Sequence, residues 1–401
     1  MKVLQINVVY RTGSTGKIMF DIHGELLKRG FESLVCYSRS TKPLTDYEHR
    51  LCGRIYSRFN ALISSFTGHM FGGCFFSTNK CISIIKKEKP DIVHLHCLNG
   101  NFINIYRLIT FLNERKIKTV LTLHAEFMFT GGCGYTLTCK KWKENYCKQC
   151  PRFKQESHSL FFDKMHNNLS KMKMVFDQFN NLVVVGVSDW ILNQAKESIV
   201  FKDKKFIRIH NGIDINLFYP ADESSVLRIK KKYSIPSDKK IVLTVNPRFD
   251  DYIKGGDIFV ELVNKLPDNY FSIIVGTNKT INSSTLSIPY TENQKELSVL
   301  YSCADVFVMC SRSDNYPTVC LEANCCGTPV VAFDVGGIKE TIGENMGDVV
   351  DPYDKDMFIQ KAIFWSNRMI DPLTISKRRD YCSKFRMVDD YCFLYKSLLD
   401  C

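Results

Sequence analysis

The sequence has 401 residues, 45% hydrophobic and 24% charged, which excludes a single small bundle, a collagen, a coiled-coil rod and a wholly disordered chain. At ~100–200 residues per domain, two or three domains are expected. The net charge of +12 is uneven: residues 1–185 hold 27 Lys and Arg against 13 Asp and Glu, and the remainder 27 against 29, so the first half suits an anionic partner such as nucleic acid, an acidic bilayer or a phosphorylated lipid.

Residues 1–10 alternate like a strand, with no apolar run leading to a small-residue cleavage site. A cytosolic protein without a signal peptide is therefore expected. The longest apolar runs, 182–187 and 330–335, fall far short of the ~20 residues that cross a bilayer. Residues 3–10 read as strand, 17–29 as helix ended by Gly30, and 33–38 as strand. Residues 91–96 and 119–124 are short buried-strand runs separated by a helical stretch, 102–114. The run 182–187 is another, with Ser188 as N-cap of a helix over 189–196. This βαβ series predicts a doubly wound parallel sheet. The pattern restarts after Pro220, with strands at 241–246, 271–275, 306–310 and 329–333 and helices at 257–265, 292–303 and 318–326. The Asn-Gly turn and Pro of residues 210–220 mark the boundary. Two Rossmann-like halves would face each other across a cleft, the favoured place for a small-molecule site.

The loop after the first strand, Arg11-Thr12-Gly13-Ser14-Thr15-Gly16-Lys17, is not a P-loop, because Arg11 and Ile18 stand where that motif needs Gly and Ser or Thr. It is either a plain tight turn or a diphosphate-approach loop in which Gly16 leaves room for a ligand. Arg248 and Lys254, six residues apart on a strand-to-helix loop, suit a clamp on the two phosphates of a nucleotide. Asp314 lies in the loop after a strand and Glu322 eight residues on, in the next helix. Between them Asn315, Tyr316, Pro317 and Thr318 lead into the helix, where backbone N–H groups can meet phosphate oxygens. A carboxylate at Glu322 can accept the hydroxyls of a ribose. His94, His96 and His124 end first-half strands, where a histidine is either a structural hydrogen-bonder or a cleft residue.

Seventeen cysteines in a chain with its own core are expected to be mostly buried small hydrophobes. Cys133, Cys139, Cys147 and Cys150, the last pair C-x-x-C, have the spacing of a structural zinc site in a reducing compartment, with free thiols or disulfides as the alternatives. Around them Lys140, Lys141, Lys143, Lys148, Arg152 and Lys154 surround Trp142 and Tyr146. That mixture suits a membrane interface or lipid diphosphate, single-stranded nucleic acid, or simply a solvated loop.

The residues 311–340, with Asp314, Glu322, Gly327-Thr328-Pro329, Gly336-Gly337 and Glu340, resemble the donor half of retaining GT-B glycosyltransferases of family 4. So do Arg248 six before Lys254-Gly255, the Asn211–Pro220 junction and the basic Gly loop near the start. Asp314 stands where many members have Glu, a variant similar to a bacterial surface-polysaccharide subgroup. The resemblance implies an α/β GT-B fold: residues 1–217 as an acceptor-side domain with a Cys-rich insertion at about 130–155, 218–380 as the nucleotide-sugar domain, and 381–401 as a helix returning to the first. It implies transfer from a UDP- or GDP-sugar, with retention and no divalent cation, to a glycan or polyprenyl-diphosphate-linked acceptor in capsule or O-antigen synthesis. Arg248 and Lys254 would neutralise the leaving diphosphate, Asp314 and nearby N–H groups hold the sugar, Glu322 the ribose, and His124 touch the sugar. An anionic membrane surface is an expected partner of a peripheral cytoplasmic enzyme, and nucleic acid is not. Rival readings are another nucleotide-sugar enzyme, such as an epimerase or glycogen synthase, or a non-catalytic membrane or nucleic-acid binding module.

Overall fold

The computed structural model describes residues 1–39, 45–144 and 146–400; Asn145 of the Cys-rich insertion and the terminal Cys401 lie outside the described residues. The chain separates into two compact units, Met1–His210 with Met387–Cys401, and Asn211–Arg386.

The first unit is built on seven strands: β1 (Lys2–Val9), β2 (Glu32–Arg39), β3 (Glu48–Arg50), β4 (Ile92–Leu95), β5 (Lys118–Leu123), β6 (Leu182–Gly186) and β7 (Lys205–Arg208). They lie in the order β3-β2-β1-β4-β5-β6-β7, and every neighbour is parallel. Parallel neighbours need crossover connections, so both faces of the sheet are covered. That is why β4 and β6 are buried at every residue and read as continuous apolar runs rather than alternation. Val3, Ile22, Leu26, Ile92, Val120 and Val185 form one core. Met387, Val388, Tyr391, Leu394 and Tyr395, from the end of the chain, complete it.

The second unit holds β8 (Lys240–Val245), β9 (Tyr270–Val275), β10 (Thr285–Ile288), β11 (Val306–Met309), β12 (Val330–Phe333) and β13 (Gly347–Val350). Their order is β10-β9-β8-β11-β12-β13, again all parallel. The chain winds outward from β8 to β10, then returns to place β11 on the other side of β8. The strand order therefore reverses between β8 and β11, and the crevice beyond their carboxyl ends is where such sheets take ligands. In the first unit the reversal falls between β1 and β4.

The helix after β1 begins at Gly13 rather than at residue 17, and the helix expected over 102–114 is Ile105–Glu114, with Asn104 as its N-cap accepting from Arg107 N. Four short outer strands, β3, β7, β10 and β13, were not legible because they are only partly buried and carry no continuous apolar run. Ser188 caps its helix as read, its hydroxyl accepting from Ile191 N at 3.2 Å. The helices Arg54–Thr67 and Phe75–Glu88 were also unexpected.

At the junction, Ile213 N donates to Cys382 O and Lys384 N to Ile213 O, each at 2.8 Å. A Cβ on Gly212 would lie 2.6 Å from Ser383 O and from Lys384 Cα, so the Asn-Gly signal here serves close backbone approach. Among the described residues, no helix is long and apolar enough to cross a membrane.

Candidate active site

The loop after β8 carries both cations singled out in the sequence. Asn246 organises it: its Oδ1 accepts from Arg248 N at 3.2 Å and its Nδ2 donates to Lys254 O at 3.1 Å. Asp251 Oδ1 accepts from Ile253 N at 2.9 Å, starting a short 3-10 turn, Tyr252–Lys254. The turn must end in glycine. Gly255 has φ +66°, and a Cβ there would fall 1.9 Å from Cys310 O, a contact no side chain survives. Arg248 is exposed and pairs with Asp251 at 3.1 Å. Lys254 is mostly buried, and its Nζ lies 2.5 Å from Asp314 Oδ2.

Asp314 comes from the loop after β11. Its Oδ1 accepts from Asn315 N at 2.9 Å, and its carbonyl accepts from Gly337 N at 2.9 Å. A Cβ on Gly336, at φ +63°, would lie 2.0 Å from Asp314 O, so the Gly-Gly pair lets one loop press on the other. The loops beyond β8 and β11 thus meet at the switch point through a charge pair spanning 60 residues of sequence. The helix Thr318–Cys325 starts beside them with Pro317 as its N-cap. Proline offers no side-chain acceptor, so the first-turn N–H groups lack a capping side chain. Tyr316 is buried, and burial raises its hydroxyl pKa. Its ring packs in the protein, which leaves its backbone as what this position can offer a ligand.

Glu322 is nearly buried within that helix, and its Oε2 accepts from Tyr301 Oη at 2.9 Å. Burial and the charge of Glu322 push the Tyr301 hydroxyl up, so it stays a donor. The sequence reading missed Tyr301. It also missed Arg312, which makes a two-pronged contact with Asp257 (Nη1–Oδ1 2.8 Å, Nη2–Oδ2 2.6 Å) and donates to Tyr252 O at 2.7 Å. Arg312 therefore ties the Lys254 turn to the strand end of β11. The local signal for it is an Arg three residues past a buried strand, but its partners are some 55 to 60 residues away. A cavity of about 580 Å³ lies beside the same loop, lined by Asp250, Asp251, Tyr252, Asp257 and Lys279. It does not include Lys254, Asp314 or Glu322.

In the first unit, Gly16 lies inside the helix Gly13–Lys28. A Cβ there would meet Val9 Cγ2 at 3.2 Å and Tyr10 N at 3.3 Å. Its smallness is thus accounted for by the packing of that helix on the end of β1. Arg11 pairs with the buried Glu48 at 2.6 Å.

The three histidines form one buried network. His94 bonds Tyr395 Oη at 2.7 Å through Nδ1 and Thr122 Oγ1 at 2.8 Å through Nε2; Thr122 Oγ1 also bonds Tyr391 Oη at 2.8 Å. His96 joins His124 at 3.1 Å and Gln5 Oε1 at 3.2 Å. Burial lowers all three pKa values, that of His124 to about 4. His94 and His96 are wholly enclosed, whereas His124 keeps part of its surface open. The network leaves His124 as the imidazole with access to a ligand, in its neutral form.

The insertion departs from its sequence reading. Trp142, read there as one of two aromatics among lysines suited to a membrane interface or lipid diphosphate, single-stranded nucleic acid or a solvated loop, is only 1% exposed. Its ring packs edge-on against Phe129 at 5.3 Å, and its Nε1 donates to Cys139 O at 2.9 Å. Trp142 is core, and Tyr146 is the exposed aromatic. Cys133 and Cys147 are buried, and Cys139 and Cys150 partly so. Burial, with the neighbouring carboxylate and thiols, raises the Cys133 thiol. Among the described residues, no group of three or more His, Cys, Asp or Glu is arranged to hold a metal ion. Thirteen of the sixteen described cysteines are buried, as expected of small hydrophobes.

Two all-parallel α/β units, the second with paired charges at its switch point, have the architecture of the GT-B fold. Residues 15–217 match the family model described as Glycosyltransferase Family 4 and residues 226–381 that of Glycosyl transferases group 1; the chain belongs to glycosyltransferase family 4. Over 99% of its length, and all of the relative's, it is 21% identical to WcaC of Escherichia coli (strain K12), a protein named as a glycosyl transferase of colanic acid biosynthesis. Sucrose-phosphate synthase from Thermosynechococcus elongatus shares the fold (17% identity, 100% of this chain and 99% of that one, TM-score 0.68). So does Anabaena HepE, solved in complex with UDP-glucose (14% identity, 99% and 100%, TM-score 0.66).

Proposed function

We propose that the chain is a retaining glycosyltransferase that moves a sugar from a UDP- or GDP-sugar to a glycan or polyprenyl-diphosphate-linked acceptor in surface-polysaccharide synthesis, working at the cytoplasmic membrane face. The observation that carries this reading is the Lys254–Asp314 pair at the switch point, with Arg248 on the same loop and Glu322 in the next helix. The likeness to WcaC supports the polysaccharide class, and the UDP-glucose held by HepE supports the donor class.

The chemistry follows from charge. Breaking the bond between the sugar's anomeric carbon and the phosphate oxygen sends its electron pair to the diphosphate, and leaves an oxocarbenium-like sugar. Arg248 and Lys254 stabilise the growing anion more than they stabilise the bound donor. In the proposed arrangement the phosphate takes over Lys254 from Asp314, freeing that carboxylate for the sugar hydroxyls. Glu322, held by Tyr301, accepts from the ribose. The acceptor hydroxyl attacks the face the diphosphate is leaving, and its proton passes to the departing phosphate oxygen. With cations supplied by side chains, the reaction needs no divalent metal. Thermal melting against a panel of UDP- and GDP-sugars tests the reading. One sugar nucleotide at 100 Kd should stabilise the protein by about 2.7 kcal/mol, and turnover should survive EDTA. No stabilisation by any of them would overturn the donor assignment.

A further inference from the structure

The helix Arg54–Thr67 is packed the wrong way round for a water-facing helix. Ile55, Phe59, Leu62, Ile63 and Phe66 fall on one face, at spacings of four, three, one and three. In a globular unit that stripe belongs against the core. Here it faces outward: Ile55 is 86% exposed, Phe59 61% and Leu62 53%. The residue the helix buries is Ser57, whose hydroxyl lies 3.3 Å from Ser38 Oγ. Asn60 holds the same side, accepting from Cys74 N at 2.8 Å. Polar contacts therefore anchor the helix while its apolar face is left uncovered.

The stripe continues onto a second segment. The Phe66 ring lies 6.0 Å from that of Phe161, and Leu160 N donates to Ser65 O at 2.8 Å. Leu160, Phe161 and Phe162 are all exposed. Gly68, at φ +72°, permits the approach, since a Cβ there would lie 2.7 Å from Phe162 O. An exposed apolar surface of this kind marks a contact site.

Charge selects the occupant. Residues 49–87 contain six Lys and Arg and no Asp or Glu. Arg54 and Arg58 are exposed on the helix itself, and Lys164 Nζ lies 5.9 Å from the centre of the Phe162 ring. A second copy of the same face would set Arg54, Arg58 and Lys164 against their own counterparts, and the neighbouring Asp163, whose oxygens accept from Cys150 N and Met165 N, is one carboxylate against these three cations. A bilayer offers acyl chains for the rings and phosphates for the arginines.

We propose that this face docks on an anionic lipid bilayer, with the helix lying in the interfacial plane. The proposal rests on the reading of a lipid-linked acceptor and deepens it by naming the surface that would bring the enzyme to one. It moves the membrane contact away from the Cys-rich insertion, whose Trp142 is buried.

Co-sedimentation of the full chain with phosphatidylcholine vesicles, with and without phosphatidylglycerol, tests it. The wild type should bind the anionic vesicles, and an Ile55→Ser/Phe59→Ser variant should bind them about tenfold or more weakly. Arg54→Gln/Arg58→Gln should lose several-fold in affinity and much of the salt dependence. Stabilisation by the sugar nucleotide, read on the same samples, should be unchanged in both variants, which reports that they are folded. A wild type that ignores anionic vesicles would overturn the proposal, as would variants that bind like the wild type. So would a lipid-free dimer that the serine variant dissolves. In each of these cases the donor reading survives if the sugar nucleotide still stabilises the protein. Vesicle binding without any such stabilisation would instead uphold the docking face and remove the donor reading.

Discussion

The two sheets end their central strands in opposite electrostatic styles. Beyond β8 and β11 the second unit sets full charges against each other: Lys254 with Asp314, Arg248 with Asp251, Arg312 with Asp257. At the carboxyl ends of β4 and β5 the first unit sets imidazoles and hydroxyls, the imidazoles held neutral by burial. Similar topology thus supports two kinds of surface. One is organised to meet an anion, and the other to hydrogen-bond something uncharged. Charge pairs that a ligand can displace suit a phosphate. Neutral rings suit sugar hydroxyls, which a buried cation would repay poorly.

The largest expected effect breaks the charged side of this contrast. Lys254→Ala should reduce transfer by about 100-fold or more, measured as kcat/KM with the stabilising donor. Because the donor is proposed to part Lys254 from Asp314 and give each its own partner, adding Asp314→Ala to Lys254→Ala should cost more than it does alone. Additive losses would mean that the pair is incidental. A smaller effect is expected one contact further back. Tyr301→Phe leaves the Glu322 carboxylate without its hydroxyl donor and should weaken donor binding by roughly tenfold, the worth of one hydrogen bond to a charged group. Unchanged affinity would detach Glu322 from the donor site.

The neutral side is sharpened by pH. Burial lowers His124 and His23 from 6.5 to about 4. Between those values the unfolded chain takes up protons that the folded chain refuses, so stability falls as pH falls through that window. Each shift is worth on the order of 3 kcal/mol at most. Glu126 acts in the other direction. Burial raises its carboxyl from 4.5 to about 7, while Thr136 hydrogen bonds to it. Its contribution is present below pH 4.5 and is lost as pH rises through 7. Glu126→Gln should therefore raise Tm at pH 8 and change it little at pH 4.5. An equal shift at both values would show that the carboxyl ionises normally in the folded protein.

Much of this was legible in the residues. Buried runs such as 182–187 announced a parallel sheet, because a strand covered on both faces has no polar side to alternate with. The placement of Arg248 and Lys254 on the loop after β8, and of Glu322 in the helix after β11, was legible from the alternation of strands and helices. Their partners were hidden. Tyr301 meets Glu322, and Lys254 meets Asp314, only after the strands take their order, and no local pattern encodes that order. The helix Arg54–Thr67 was obscured differently: its spacing points to a core-facing element, and only the packing shows the stripe turned outward. Trp142 misled in the opposite sense, as an aromatic among lysines that packs on Phe129.

The first unit draws Tyr391 and Tyr395 from the end of the chain into its interior, beside Thr122 and His94. Its interior is incomplete until the segment after Arg386 has left the ribosome, whereas Asn211–Arg386 is one uninterrupted span. Synthesis would therefore finish the later lobe first, and the lobe begun earliest must wait for the stretch that carries Tyr391 and Tyr395 before it can close.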